Sequence, residues 1–209
     1  ASPAAYGDPQ TVLAWSRPNF DAISSQAPAA LREWTEREFT RVSPLLALRR
    51  AQGFVREGHG DLHLGNIVRV DGEPLPFDGI EFNAALRHTD TMADLAFPFM
   101  DLWRHGLPRQ AWRFASSYAE HTGDYAGLAL LPFFAVYRAL VRAQVASLRL
   151  AQAGDETARA AARTALVRDL RVAFGTANEL TLAMSGTGSA GMQTAGFGKG
   201  LLRGAELVG

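Results

Sequence analysis

Between Glu57 and Ile67 the sequence concentrates side chains that move protons and hold cations: His59, Asp61, His63 and Asn66, in the string His59-Gly60-Asp61-Leu62-His63-Leu64-Gly65-Asn66. Asp78 and Glu81 follow in FDGIEF, and Asp94 in ADLAF. An amide oxygen and a carboxylate suit a hard cation such as Mg²⁺, which takes a few protein oxygens and completes its shell with water and nucleotide phosphates. Asp61, on the same loop, would then accept the proton of a substrate hydroxyl. Read instead as His-x-Asp-x-His, residues 59, 61 and 63 are candidate ligands for zinc or iron, a different class of chemistry. On an extended strand those three would share a face, but a loop containing Gly60 does not impose that geometry.

The element that positions this set is a β-hairpin. In NIVRVDGEPLPFD, Ile67, Val68 and Val70 precede an Asp71-Gly72 pair and Leu75 and Phe77 follow it, the pattern of a two-residue hairpin turn. Antiparallel pairing around that turn puts Asn66 opposite Phe77 and beside Asp78, so two oxygen donors converge at the open end.

Helical periodicity dominates elsewhere. Residues 1–26 read as a loop and a short helix, with Trp15 and Phe20 as packing anchors, and 29–52 as one amphipathic helix or two, divided at Pro44. Helices are predicted over 91–105, 108–121, 130–153 and 156–174, separated by Gly106, Gly123 to Gly127 and Gly154-Asp155. The aromatic residues of these helices, Phe97, Phe99, Phe133 and Phe134 among them, are expected in the core. Arg138, Arg142 and Arg149 are expected on a solvated face, and Asp101, Glu120 and Asp124 as acids able to attract a cationic acceptor.

Composition narrows the function class. The 209 residues are 47% apolar with 21 basic and 21 acidic side chains, which predicts a folded body and gives no bulk charge for nucleic acid or an anionic membrane. With no cysteine there is no disulfide, thiolate nucleophile or cysteine metal site. The opening ASPAAYGDPQ does not read as a signal peptide, and the apolar stretch from Leu128 to Val136 is too short for a membrane span and is interrupted by Pro132. The expectation is a cytoplasmic protein. Lys199 is the one lysine; every other cation is arginine, as in chains from GC-rich genomes.

The loop matches HGDxHxxN residue for residue, and in this it resembles the catalytic loop of the aminoglycoside phosphotransferase and choline kinase branch of the protein-kinase-like fold. The resemblance implies a mainly α fold with a small β-hairpin, the carboxy-terminal lobe of a small-molecule kinase using ATP and Mg²⁺. It implies Asp61 as catalytic base, His59 and His63 as residues shaping the loop, Asn66 as a magnesium ligand, and Asp94 as a structural brace. Both Phe77-Asp78 and Ile80-Glu81-Phe82 fit the segment carrying the second metal carboxylate; hairpin pairing favours Asp78, and Glu81 is equally readable as an arginine partner, Arg87 being nearest. Over roughly residues 5–184, the wording REGHGDLHLGNI, FDGIEFN and DLAFPFMDL is similar to a bacterial group in which such a domain precedes an ATP-binding P-loop domain.

The same resemblance calls for a phosphate-clamping lobe built on a glycine-rich hairpin and a strand lysine. The 58 residues before His59 contain no lysine and no glycine-rich strand pair, so that lobe is expected to be missing. At the other end, residues 179–209 read as a glycine-rich tail separate from a body over 1–178. There Gly186 to Gly191, GTGSAG, follows an apolar LTLAM that reads as a strand and begins a P-loop, but Met192 and Gln193 stand where lysine and serine or threonine would contact phosphate. Two readings result: an ATP-dependent phosphotransferase acting on a small hydroxyl-bearing acceptor, or a catalytically incomplete fragment or pseudokinase-like scaffold that docks a missing lobe or P-loop domain.

Overall fold

A segment apolar on every side has to become a central helix. Such a segment is Thr91–Arg104 (α5), in which Met92, Ala93, Leu95, Ala96, Phe97, Phe99 and Met100 are all buried despite Pro98 within the helix. In the computed structural model, which describes residues 6–23 and 29–185, the other elements are arranged around it. They are α1 (Pro9–Ala14), α2 (Ser16–Ala22), α3 (Ala29–Ala51), β1 (Val55–Glu57), β2 (Ile67–Val70), β3 (Glu73–Pro76), α4 (Ala84–Arg87), β4 (His88–Asp90), α6 (Pro108–Thr122), α7 (Leu131–Gln152) and α8 (Glu156–Ser185). The protein is mainly α-helical with short antiparallel strands, as the sequence predicts.

Helix α7 is the second core helix and packs against α8, α5, α2 and α3. Phe133, Phe134, Val136 and Leu140 fill the interior, and Ala135, Ala139, Ala143 and Ala146 keep the neighbouring helices close. With its preceding turn, α7 is the one segment among the described residues long and apolar enough to cross a membrane, a length the short run read from sequence had missed. Most of it, 72%, is buried inside the fold instead.

Of the one or two helices expected over 29–52 the structure has one, α3, continuous through Pro44. Three other sequence expectations are corrected. The chain before residue 23 forms two short helices, the first capped by Asp8, whose carboxylate accepts from the backbone N–H of Gln10 and Thr11. Leu180–Met184, read as a strand, belongs to α8, which carries the chain past residue 178 to Ser185. Arg138, placed on a solvated face, is buried, as are Asp101 and Asp124. Each finds a partner far along the chain: Arg138 donates to the Ala93 carbonyl, Asp101 accepts from Leu64 N–H, and Asp124 accepts from Arg49. The GTGSAG loop lies outside the described residues.

Two small sheets position the loop. Strands β1 and β4 pair antiparallel, Val55 with Asp90 and Glu57 with His88, and β4 runs straight into α5. Strands β2 and β3 form the predicted hairpin, Ile67 opposite Pro76 and Val70 opposite Glu73. Asp71 and Gly72 both take positive φ, 51° and 90°, as the primed turn requires. Arg49, at the end of α3, ties the base together: its guanidinium donates to Asp90 and Asp124, all three being buried.

Candidate active site

The loop from Gly58 to Asn66 has no regular structure until the 3₁₀ turn Leu64–Asn66, so its shape must come from contacts made outside it. Helix α5 supplies them. Asp94, in its first turn, accepts from the backbone N–H of His59 at 2.6 Å and of Gly60 at 2.9 Å. Asp101, seven residues on and therefore on the same face, accepts from Leu64 N–H at 3.0 Å. Two carboxylates two turns apart on one helix thus hold the loop on either side of Asp61. Asp94 is the brace expected of it. Asp101 was missed, since its partner lies 37 residues away.

His59 and Asn66 complete the frame. The Asp61 backbone N–H donates to His59 Nδ1 at 3.3 Å and His59 Nε2 lies 2.8 Å from the Phe77 carbonyl, so Nδ1 accepts, Nε2–H donates, and the ring bridges the loop to the hairpin. The buried Asn66 donates its amide Nδ2 to the Asp61 carbonyl at 3.0 Å and lies 3.4 Å from Asp61 Oδ2. That orientation leaves its Oδ1 without a protein partner among the described residues. His63 stacks edge-on to Phe97 with Nε2 3.7 Å from Asp61 Oδ2. Burial pushes its pKa below the ordinary histidine value, Asp61 opposing and Arg142 adding to the shift, so it is neutral at pH 7.

Phe77 N–H donates to the Asn66 carbonyl at 2.9 Å, the pairing expected at the hairpin's open end. The next residue, Asp78, takes a left-handed φ of 59°. That conformation, tolerated by aspartate, ends the regular strand alternation after Phe77. Its exposed carboxylate has no protein partner among the described residues. Glu81 is exposed too; Arg87 donates to its backbone carbonyl and pairs instead with Glu57 at 2.8 Å. Among the described residues no three His, Asp or Glu side chains gather as a metal-ligand cluster, and both His59 nitrogens are taken, so the His-x-Asp-x-His zinc site does not form. Two protein oxygens, Asn66 Oδ1 and an Asp78 carboxylate oxygen, fit the different demand of Mg²⁺, which draws most ligands from water and phosphate.

The loop also fixes one glycine. A Cβ on Gly58 would stand 2.0 Å from Asp94 Oδ2, so Gly58→Ala must push the brace off the His59 and Gly60 amides. Loss of charge-assisted hydrogen bonds of this kind costs about 2–3 kcal/mol. The variant is expected to melt roughly 5–10 °C lower, at about 2–4 °C per kcal/mol for a chain of this size, as differential scanning calorimetry would register.

Over 165 residues the chain is 36% identical to an uncharacterized protein of Mycobacterium bovis and to uncharacterized proteins from two strains of Mycobacterium tuberculosis, a stretch covering 79% of this chain and 32% of each relative. The chain therefore spans about a third of the length of the curated relatives it matches. No protein-family model and no solved structure matches it.

Proposed function

We propose that the loop and hairpin form the phosphoryl-transfer site of an ATP-dependent small-molecule kinase of the aminoglycoside phosphotransferase and choline kinase type. The observation that carries the reading is the Asn66 carboxamide: its nitrogen is fixed to Asp61, which leaves its oxygen for a cation at the end of the hairpin where Asp78 stands unpartnered. Asn66 and Asp78 would hold Mg²⁺, which when bound neutralises charge on the transferring phosphate. Asp61, with a half-exposed carboxylate, takes the proton of the acceptor hydroxyl. His59 positions it through its backbone, and neutral His63 packs behind it. A cytoplasmic setting, where ATP is abundant, goes with this reading.

One observation favours the scaffold reading. Val68, Val70 and the cross-strand partner of Val68, Leu75, lie on one face of the hairpin with Phe77 beyond, all exposed, and Phe82 is 87% exposed nearby. A partner lobe would cover such a face. The described residues before His59 form helices and β1, with no phosphate-clamping hairpin.

Magnesium-dependent nucleotide binding separates the two. Isothermal titration of the chain with ATP is expected to show binding that requires Mg²⁺. Asp78→Ala should weaken it about tenfold or more, in the range for loss of a group that tunes a metal site, and Glu81→Ala should leave it within about twofold. ATP binding indifferent to Mg²⁺, or absent, leaves the scaffold reading; loss in Glu81→Ala alone moves the ligand to Glu81.

A further inference from the structure

Beside Asp61 the fold forms a partly open cavity of about 110 Å³. Gly60 and Asp61 of the loop, Ile80, Thr89 of β4, and Tyr137 and Arg138 of α7 contribute to its wall. Sites that enclose a drug-sized ligand run to about 300–1,000 Å³, so an aminosugar antibiotic does not fit inside.

The polar groups of the wall differ in how far they are already committed. Arg138 donates Nε to the Ala93 carbonyl at 3.0 Å and lies 3.8 Å from Asp94, with its guanidinium over the Phe97 ring at 4.7 Å and the Tyr137 ring at 5.4 Å. A quaternary ammonium is recognised on aromatic faces. Here the Tyr137 ring already carries a cation, and a second would meet like charge. The Thr89 and Tyr137 hydroxyls, by contrast, have no hydrogen-bond partner among the described residues, although Thr89 is buried and burial pushes the Tyr137 hydroxyl's pKa up. Two uncharged groups able both to donate and to accept are what a neutral hydroxylated molecule needs.

We propose that this cavity is the acceptor subsite and takes the end of a neutral, glycerol-sized alcohol or polyol, held by the Thr89 and Tyr137 hydroxyls with one of its own hydroxyls at Asp61. The assignment rests on the phosphoryl-transfer reading. In the step it serves, the acceptor oxygen bonds to the γ-phosphorus of ATP while its proton passes to the Asp61 carboxylate. The bond from that phosphorus to the β,γ-bridging oxygen breaks, and ADP leaves with those electrons.

The test is ligand-observed NMR on the purified chain, with glycerol, choline and an aminoglycoside as probes. Tyr137→Phe and Thr89→Val keep the side-chain shapes while removing one hydroxyl each. Glycerol is expected to bind, each variant to weaken it about fivefold, the net worth of one hydrogen bond, and choline and the aminoglycoside to leave it bound. Displacement of glycerol by either cation, glycerol binding unchanged in both variants, or no glycerol binding overturns the proposal. A transfer assay with Mg²⁺ and ATP separates its failure from that of the underlying reading. Phosphorylation of choline or the aminoglycoside but not glycerol defeats the subsite and keeps the kinase; hydroxyl-dependent glycerol binding without transfer keeps the ligand class and defeats the kinase.

Discussion

Arg49→Ala is expected to lower the stability of the protein by about 3–5 kcal/mol, the range for removing one member of a buried ion pair, and to drop the melting temperature by roughly 10 °C or more. Arg49 is 1% exposed; its Nε and Nη2 engage Asp90 at 2.8 and 3.0 Å, its Nη1 and Nη2 engage Asp124 at 2.6 and 2.8 Å, and its guanidinium lies 4.0 Å from the centroid of the Phe54 ring. Burial alone would lower the guanidinium's pKa, but the hydrogen bonds it donates to Asp124 and Asp90, and their charges, carry it above its ordinary value. Without Arg49, two buried carboxylates are left with no compensating cation. Arg49→Lys should recover only part of the loss, because an ammonium does not reproduce a fork that bonds two carboxylates at once. An unchanged melting temperature in Arg49→Ala would show that the triad does not hold the base of the site.

That triad also marks the limit of what the sequence revealed. Local pattern sufficed where the deciding interaction is local. The Asp71-Gly72 turn set the register of the hairpin and hence the pairing of Asn66 with Phe77, and the helices came from their own periodicity and glycine stops. It failed where charges pair over distance. Asp90 and Asp124 lie 41 and 75 residues from Arg49, and Arg138 reaches Ala93 across 45. A charged residue on a helix is by default read as solvated, so Arg138 is expected on an outer face, and Asp101 and Asp124 as acids for a cationic acceptor rather than as buried partners. One signal was available: Asp94 and Asp101 fall on the same stripe of an otherwise apolar helix, and a carboxylate there needs a buried partner. The short apolar run Leu180–Met184 failed for another reason, because five residues do not separate a strand from the end of a long helix.

Asp61→Asn tests the chemistry with the frame intact. The substitution keeps size and shape and removes only the basic oxygen, so under the proposed mechanism kcat should fall about 10³-fold, within the 10²–10⁴ typical of general-base loss and equal to about 4 kcal/mol of barrier. The polar contacts of the Asp61 carboxylate are long, Asn66 Nδ2 at 3.4 Å and His63 Nε2 at 3.7 Å, while the loop is held through backbone groups by Asp94, Asp101 and His59. Melting temperature and Mg²⁺-dependent ATP affinity should accordingly stay near those of the parent. Asp94→Ala gives the opposite signature. It releases the His59 and Gly60 amides and leaves Arg138 without its nearest carboxylate, so stability and turnover should fall together. Steady-state kinetics beside calorimetry on the two variants distinguishes the base from its brace. If Asp61→Asn keeps more than about a tenth of parental turnover, proton transfer to Asp61 contributes less than the 10²-fold minimum of a general base, and the proposed role of this loop is wrong.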